Sequence, residues 1–450
     1  FEHTRPSGAG GGGYMARANL RLSWLLALGV AVTAQSVQAQ STSGSLAQAQ
    51  NEAGNLFARD RGIGVRERPR PEYEALGLAM GTFTAFPSVQ FDAESNDNIF
   101  ATATGAQDDW IFRIKPEVSL ESGWSRHALA LFARANIARY QDFDEENFED
   151  WGVGANGRLD FTRATNLALG VNYDSLTEPR SSSNAPASTR EPVSYDVTAA
   201  YAAGMTVRGR TKLSARADIR TFDYEDGRTL GGVVIDQDNR DRTVTSLTGR
   251  GDYALSPATA LFVQATANTR DYDTATSLLL PARDSDGFEL LAGANFEVGA
   301  VARGEIAVGY ISQEFDAAVY DKIDGFGARG QLEWFPTQLT TVSATASRTI
   351  EDSGIAGAGG YLSTSVGARI DHELMRNVLL NADISLSSDE YEGLDRTDDR
   401  LQYSVGGTYL LNRNMGLSVA ASHFEQTSDG AAAGVDFDVN RLTLTLVTQF

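Results

Sequence analysis

From residue 79 onward, apolar and polar residues alternate one by one in segments separated by breaks. Leu167, Leu169, Val171 and Tyr173 stand at every second position, with Ala168, Gly170 and Asn172 between them. Val378, Leu380, Ala382, Ile384 and Leu386 repeat the pattern around Asn381, Asp383 and Ser385. A period of two predicts β-strands with one apolar face and one wet face.

The breaks are of two kinds. Short ones are SGWS (122–125), RAT (163–165), RGR (208–210), LSPA (255–258), VGAVARG (298–304), FPTQ (335–338), LMRN (374–377) and LNRN (411–414). Long ones centre near 92–108, 141–150, 178–192, 225–241, 272–286, 315–326, 351–360, 388–399 and 425–436. Short and long alternate without exception, and eight of one with nine of the other predict eighteen strands. The pattern is weakest over 79–91 and over 110–120, which carries Pro116, and without those two the count falls to 16. A soluble β-sandwich or solenoid needs no such alternation of connection length. The predicted fold is all-β, a transmembrane antiparallel up-and-down β-barrel over 79–450 with short periplasmic turns and long external loops. In lipid every backbone polar group must be paired, so the sheet has to close. Long loops first and last put both termini on the periplasmic side.

The stretches ARYQDFDEE, RTFDYED, TRDYDT, SQEFDA and SSDEYEG each place an aromatic followed by acids at the long-loop end of a strand. They predict an aromatic girdle at headgroup depth. The final LTLTLVTQF sets Leu442, Leu444 and Leu446 on the lipid face and ends on Phe450. An alternating strand with a terminal aromatic resembles the assembly signal of Gram-negative outer-membrane barrels. That resemblance implies outer-membrane lipid and the barrel-assembly machinery as partners.

The first residues are read apart from the barrel. Residues 1–14 precede the first methionine and read as upstream translated sequence or a cloning scar. From Met15, two arginines, an apolar run and Val37-Gln38-Ala39 predict a signal peptide over 15–39, cleaved after Ala39. Residues 40–78 are left as a short periplasmic segment, in which SLAQAQNEAGNLFARD (45–60) has room for at most a short helix.

Composition narrows the chemistry. The chain has no cysteine, which excludes disulfides, zinc–thiolate sites and a cysteine nucleophile. Its net charge of −21 argues against nucleic acid as a partner. His127, His372 and His423 are too scattered for a shared site, His423 reads as an interfacial rim residue, and no G-x-S-x-G occurs. No enzyme activity and no cofactor are predicted. The acidic loops lack the D-x-D-x-D-G calcium spacing, DQDNRD (236–241) being the nearest, so they read as solvated charge and no metal site is assigned.

Alternation assigns the charged lumen-facing residues as Arg113, Lys115, Arg134, Arg158, Asp160, Arg216, Asp218, Arg220, Arg250, Asp252, Arg270, Arg369 and Asp371. Arginine and aspartate lie two apart at 158/160, 218/220, 250/252 and 369/371. Such pairs serve either as a charged constriction or, by the favoured reading, as a brace between same-face neighbours on adjoining strands. Arg113, Arg134 and Arg270 have no such neighbour and are the expected pathway arginines.

Seven stretches, VRERPRPEY (65–73), NDNIF (96–100), SRHAL (125–129), ARDSDGFEL (282–290), LTTVSATASRTIE (339–351), DHELMRNVLLNA (371–382) and YLLNRN (409–414), resemble the putative β-barrel porin 2 family of proteobacterial outer-membrane proteins. The resemblance spans about residues 65–450 and brings no catalytic residues. It implies a Gram-negative outer-membrane barrel, of a family often associated with exopolysaccharide loci. Three functions follow as expectations: a channel for passive diffusion of small polar solutes, a conduit exporting an anionic exopolysaccharide with periplasmic polysaccharide-export machinery, or a closed barrel making surface contacts through acidic loops.

Overall fold

A computed structural model describes residues 62–186, 189–277 and 280–450. The predicted signal peptide and residues 40–61 lie outside them. The strands are β1 (Phe83–Asn96), β2 (Asp109–Ser122), β3 (Ala128–Tyr140), β4 (Phe148–Thr162), β5 (Thr165–Thr177) and β6 (Ser194–Arg208). Next come β7 (Thr211–Tyr224), β8 (Arg242–Ser256), β9 (Thr259–Tyr272), β10 (Ser285–Val298), β11 (Ala302–Phe315) and β12 (Ile323–Thr337). The series ends with β13 (Thr340–Asp352), β14 (Gly360–Met375), β15 (Val378–Tyr391), β16 (Thr397–Asn412), β17 (Met415–Asp429) and β18 (Phe437–Gln449).

Each strand pairs antiparallel with the next, and β1 pairs with both β2 and β18, from Ser88 opposite Gln449 to Asn96 opposite Arg441. The result is a closed barrel of eighteen strands. The first barrel strand is Phe83–Asn96 rather than 79–91, because Gly81, at φ +67°, turns the short segment Leu78–Met80 back onto it. Pro116 sits inside β2, where the ladder to β3 skips Lys115 and Pro116 while the ladder to β1 runs on. A proline has no N–H to give, so the lapse falls where the donor is missing.

Strands of 13 residues or more, at ~3.3 Å per residue and a tilt of ~40°, rise about 33 Å. That exceeds the roughly 25 Å apolar band of an outer-membrane barrel. On each strand one parity is apolar and exposed, as with Phe112, Ile114, Leu213, Ile219, Val263, Leu290, Val366 and Leu444. The other parity is polar. Outward aromatics gather at two heights. Trp110, Trp151, Phe288, Tyr310, Phe326 and Tyr403 lie toward the long-loop rim, and Phe161, Tyr253, Trp334 and Tyr409 toward the short-turn rim.

The aromatics expected to form the girdle are elsewhere. Phe222, Tyr224, Tyr272, Phe315 and Tyr391 are all buried. They share the parity of Arg220, Arg270, Gln313 and Asp389 on their own strands, so they point inward, as does Tyr140 on β3. Arginines from the long loops cap several of them: Arg240 lies 4.0 Å over Tyr224, Arg283 4.8 Å over Tyr272 and Arg396 5.1 Å over Tyr391. This inner collar is a floor for the loops.

Two departures from a plain cylinder shape the interior. The ladder between β12 and β13 covers Ala328–Trp334, with one further pair at Thr337 and Thr340. Above Ala328 the strands part, and Thr349–Asp352 pair only with β14. The freed end of β13 leans into the lumen, where Ile350 packs on Phe315, Tyr320 and Ile323. The second departure is the polar segment before β1. Residues 62–77 follow the short-turn rim past β11–β14 to β18, with Arg303 bound to Glu67, Arg70 to Glu373 (2.8 Å) and Gln449 to the Tyr73 carbonyl (3.1 Å).

Candidate functional site

The inward face carries charge from rim to rim, and the structure places each of the thirteen charged residues assigned from alternation on it. The pairs two apart close within their own strands: Arg158–Asp160 at 3.0 Å, Arg250–Asp252 at 2.8 Å and Arg369–Asp371 at 3.0 Å. Asp218 is held by Arg216 at 2.7 Å, the residue two before it, with Arg220 on the same face beyond. In an extended strand, residues i and i+2 share a face, so a long guanidinium reaches the carboxylate without a change of register. Two of these pairs also bridge strands, since Arg250 reaches Glu305 of β11 at 2.7 Å and Arg369 reaches Asp383 of β15 at 3.5 Å.

The three arginines expected to be unpaired are each paired. Arg113 binds Glu94 of β1 at 2.8 Å, and Lys115 binds Asp92 of the same strand at 2.9 Å. Arg134 binds Asp174 of β5 at 2.9 Å and keeps over half of its side chain exposed to the lumen. Arg270 of β9 binds Asp352 of β13 at 2.6 Å. Their partners lie on other strands, so spacing within one strand did not reveal them. Thr443 and Thr445 of β18 complete the belt by donating to Glu94 and Asp92.

Asp352 is the meeting point of the lumen's far side. It accepts from Arg242 at 3.0 Å and from Arg270, which also donates to the Ile350 carbonyl at 3.0 Å. Arg283, from the loop 273–284, donates to the carbonyl of Ser353. The end of β13 is thus fastened across the inner face of β8–β12. Of the backbone groups that it does not share with β12, the Ile350 carbonyl finds its partner on β9, in Arg270.

The loop 178–193, between β5 and β6, approaches from the opposite side. Its base is fixed by Arg180–Glu146 and Arg190–Glu145 (both 2.6 Å) to the loop 141–147, and by Glu178–Arg240 (2.7 Å) to the loop 225–241. Its tip crosses the lumen. Ser183 accepts from Arg400 of β16 at 2.5 Å and donates to Gln426 of β17 at 3.4 Å. Asn184 Oδ1 accepts the Gly354 N–H at 2.8 Å, beside the inward end of β13. A Cβ at Gly354 would stand 2.9 Å from the Asn184 Cβ, so a larger residue here would push the loop tip away. The two inward segments therefore meet and constrict the lumen. No sequence signal marked either one.

The remaining chemistry-bearing residues lie apart. His127 accepts the Asp160 N–H at 3.0 Å beside a short turn, and His372 bonds Thr340 at 3.0 Å. His423 faces outward, its ring tilted 32° against that of Tyr403 at 5.0 Å and bonded to Asn440 at 2.8 Å. In the loop 225–241, Asp226, Asp236 and Asp238 bring three exposed carboxylates within 4.8 Å of one another. Their mutual repulsion shows at Asp238, whose pKa is raised chiefly by Asp236. Asp241, in the same loop, is pushed up to about 6 by burial and by its acidic neighbours. Leu442 and Leu444 are exposed on the outer face, and the Phe450 N–H donates to the Pro87 carbonyl at 3.1 Å.

A family model described as "Putative beta-barrel porin 2" matches residues 70–450. Among curated proteins none matches the sequence. Solved structures with a similar chain course include Pseudomonas aeruginosa OpdL, at 13% identity over 82% of this chain and 100% of that one, with a TM-score of 0.43. Acinetobacter baumannii OccAB2 follows at 12% identity, 82% and 98% coverage, and a TM-score of 0.44. Pseudomonas aeruginosa OpdK, solved with vanillate, shows 12% identity, 81% and 99% coverage, and a TM-score of 0.42.

Proposed function

Because the chain belongs to the family described as putative beta-barrel porin 2, we propose that it is an outer-membrane channel for passive diffusion of small polar solutes. The observation that carries this reading is a closed wall that is apolar outside and charged inside from one rim to the other. A lumen whose charges are paired wall to wall keeps water and polar solutes in contact with hydrogen-bonding groups, while the outer face at mid-depth offers lipid its apolar parity. The long loops face outward and the short turns and both termini face the periplasm, as the general build of such barrels suggests.

The loop 178–193 and the inward end of β13 set the size limit. Solutes pass around the junction of Asn184 and Gly354, next to Arg400. Export of an anionic polymer by the same barrel would require that loop to leave the lumen, breaking its ties to Arg400 and Gln426.

Liposome swelling with uncharged polar solutes of increasing size tests the proposal. Proteoliposomes should swell with the smallest solutes and stop at a sharp cut-off. Absence of swelling with every solute, from protein shown to be folded by its heat-modifiable migration, would overturn it.

A further inference from the structure

The ion pairs of the lumen wall join opposite charges, but the two partners are not equally exposed to water. At mid-depth the cation is the exposed member. Arg134 is 57% exposed against 8% for Asp174, Arg329 43% against 17% for Glu289, and Lys115 24% against 2% for Asp92. Arg158 is likewise more exposed than Asp160. A short aspartate stays close to the wall, while a guanidinium is carried past it on its aliphatic stem. The order reverses on the short-turn side of β11 and β12, where Glu305 is more exposed than Arg250 and Glu333 than Arg303. Asp352 is about level with its two arginines. The cationic surface therefore belongs to the middle of the barrel.

Two of these cations have bonding capacity left. Arg329 has Glu289 only at 3.8 Å, and among the described residues none of its N–H groups finds an acceptor. Arg134 gives a single N–H to Asp174, at 2.9 Å. A guanidinium with a vacant fork takes a carboxylate or a phosphate by two parallel bonds. Arg134 and Arg329 lie near the middle of β3 and β12, which stand half-way round the eighteen-strand wall from each other. A solute crossing the barrel passes between them.

We infer that this pair makes the channel prefer small oxyanions, solutes that carry a carboxylate or a phosphate. The inference rests on the channel reading, for which it names a solute class. It runs against the net charge of −21, which by itself would favour cations. The exposed acids of the outer loops act from a distance, and charges beyond about 10 Å are largely screened at ~0.1 M salt. Arg134 and Arg329 meet the solute directly. Glu117, opposite Arg134 in the β2–β3 ladder, works against the preference.

Reversal potentials in a KCl gradient across a planar bilayer test the inference. The barrel should pass chloride severalfold more readily than potassium. Arg134→Gln and Arg329→Gln should each lower that ratio, and the double variant should bring it to one or below. Arg134→Lys combined with Arg329→Lys keeps both charges and should keep the preference, which separates loss of the cations from loss of the fold. Glu117→Gln should raise the ratio. Acetate and methyl phosphate should each reduce the chloride current through the native barrel and not through the double Gln variant. A response to only one of them upholds the inference and narrows the class to that group. Potassium preference in the native barrel, an unchanged ratio in the double Gln variant, or a current indifferent to both oxyanions would overturn it. A silent but folded barrel removes the channel reading instead. The site is then read from the phosphorus resonance of methyl phosphate: broadening that the double Gln variant loses upholds it, and no broadening overturns it.

Discussion

The Asn184 side chain accepts the Gly354 backbone N–H at 2.8 Å. That bond joins a loop from between β5 and β6 to the connection between β13 and β14. Two segments that leave the wall on different sides meet inside the barrel.

Gly354→Val tests the junction directly. Its side chain would collide with Asn184, whose Cβ, Cγ and Oδ1 all lie within 3.1 Å of an added Cβ. The loop tip must then move away, so single-channel conductance should rise and its open-state noise increase. Asn184→Ala, which removes the bond without adding bulk, should have a smaller effect in the same direction.

Asp352 holds Arg242 and Arg270 together. Asp352→Ala leaves both guanidiniums facing each other without their carboxylate. Removing one partner of a buried pair costs about 3–5 kcal/mol. A lower temperature for the loss of the folded, fast-migrating form on gels is expected, together with a wider pore as the end of β13 leaves the inner face. Arg242→Gln alone should cost less, since Arg270 would still hold Asp352.

The loop 225–241 should respond to pH. The Asp241 carboxyl is pushed up to about 6, above its value in an unfolded chain, so the folded state holds its proton more tightly. The stability that this contributes is full below the ordinary aspartate range near ~3.9 and is lost as pH rises through about 6. Hydrogen exchange in 225–241, corrected for intrinsic rates, should therefore be slower at pH 5 than at pH 7.5. Asp241→Asn should flatten the difference.

Glu373 receives both Arg68 (3.0 Å) and Arg70 (2.8 Å) and so ties the segment before β1 to the short-turn rim. Burial lowers the Arg70 pKa, and the Glu373 carboxylate offsets that by compensating the buried guanidinium. With Glu373→Gln the segment should detach. The chain has no cysteine, so a single spin label at Glu72→Cys reports cleanly, and its spectrum should sharpen.

The wall of this barrel was legible in the sequence because lipid and water act on alternate residues of every strand, and turn length separates the two rims. Strand parity also assigned the charged lumen residues. The aromatics of RTFDYED, TRDYDT and SQEFDA were misassigned to the lipid face although Arg220, Phe222 and Tyr224 share one parity. A strand-end aromatic carries no label for its face, and only counting from an assigned neighbour decides it. The partners of Arg113, Arg134 and Arg270 were illegible for another reason. Glu94, Asp174 and Asp352 lie on other strands, and cross-strand pairs depend on register and barrel shape. The lumen-crossing loop has no periodicity, and its anchors, Ser183 and Asn184, look like ordinary loop residues.

Single-channel conductance of the purified barrel in a planar bilayer, beside a variant lacking loop residues 181–186, addresses the central claim most directly. The account predicts stable steps from the full chain and severalfold larger steps from the variant. Equal conductance in the two would show that the loop does not constrict the path, and silence from both, with the fold intact, would contradict a diffusion channel.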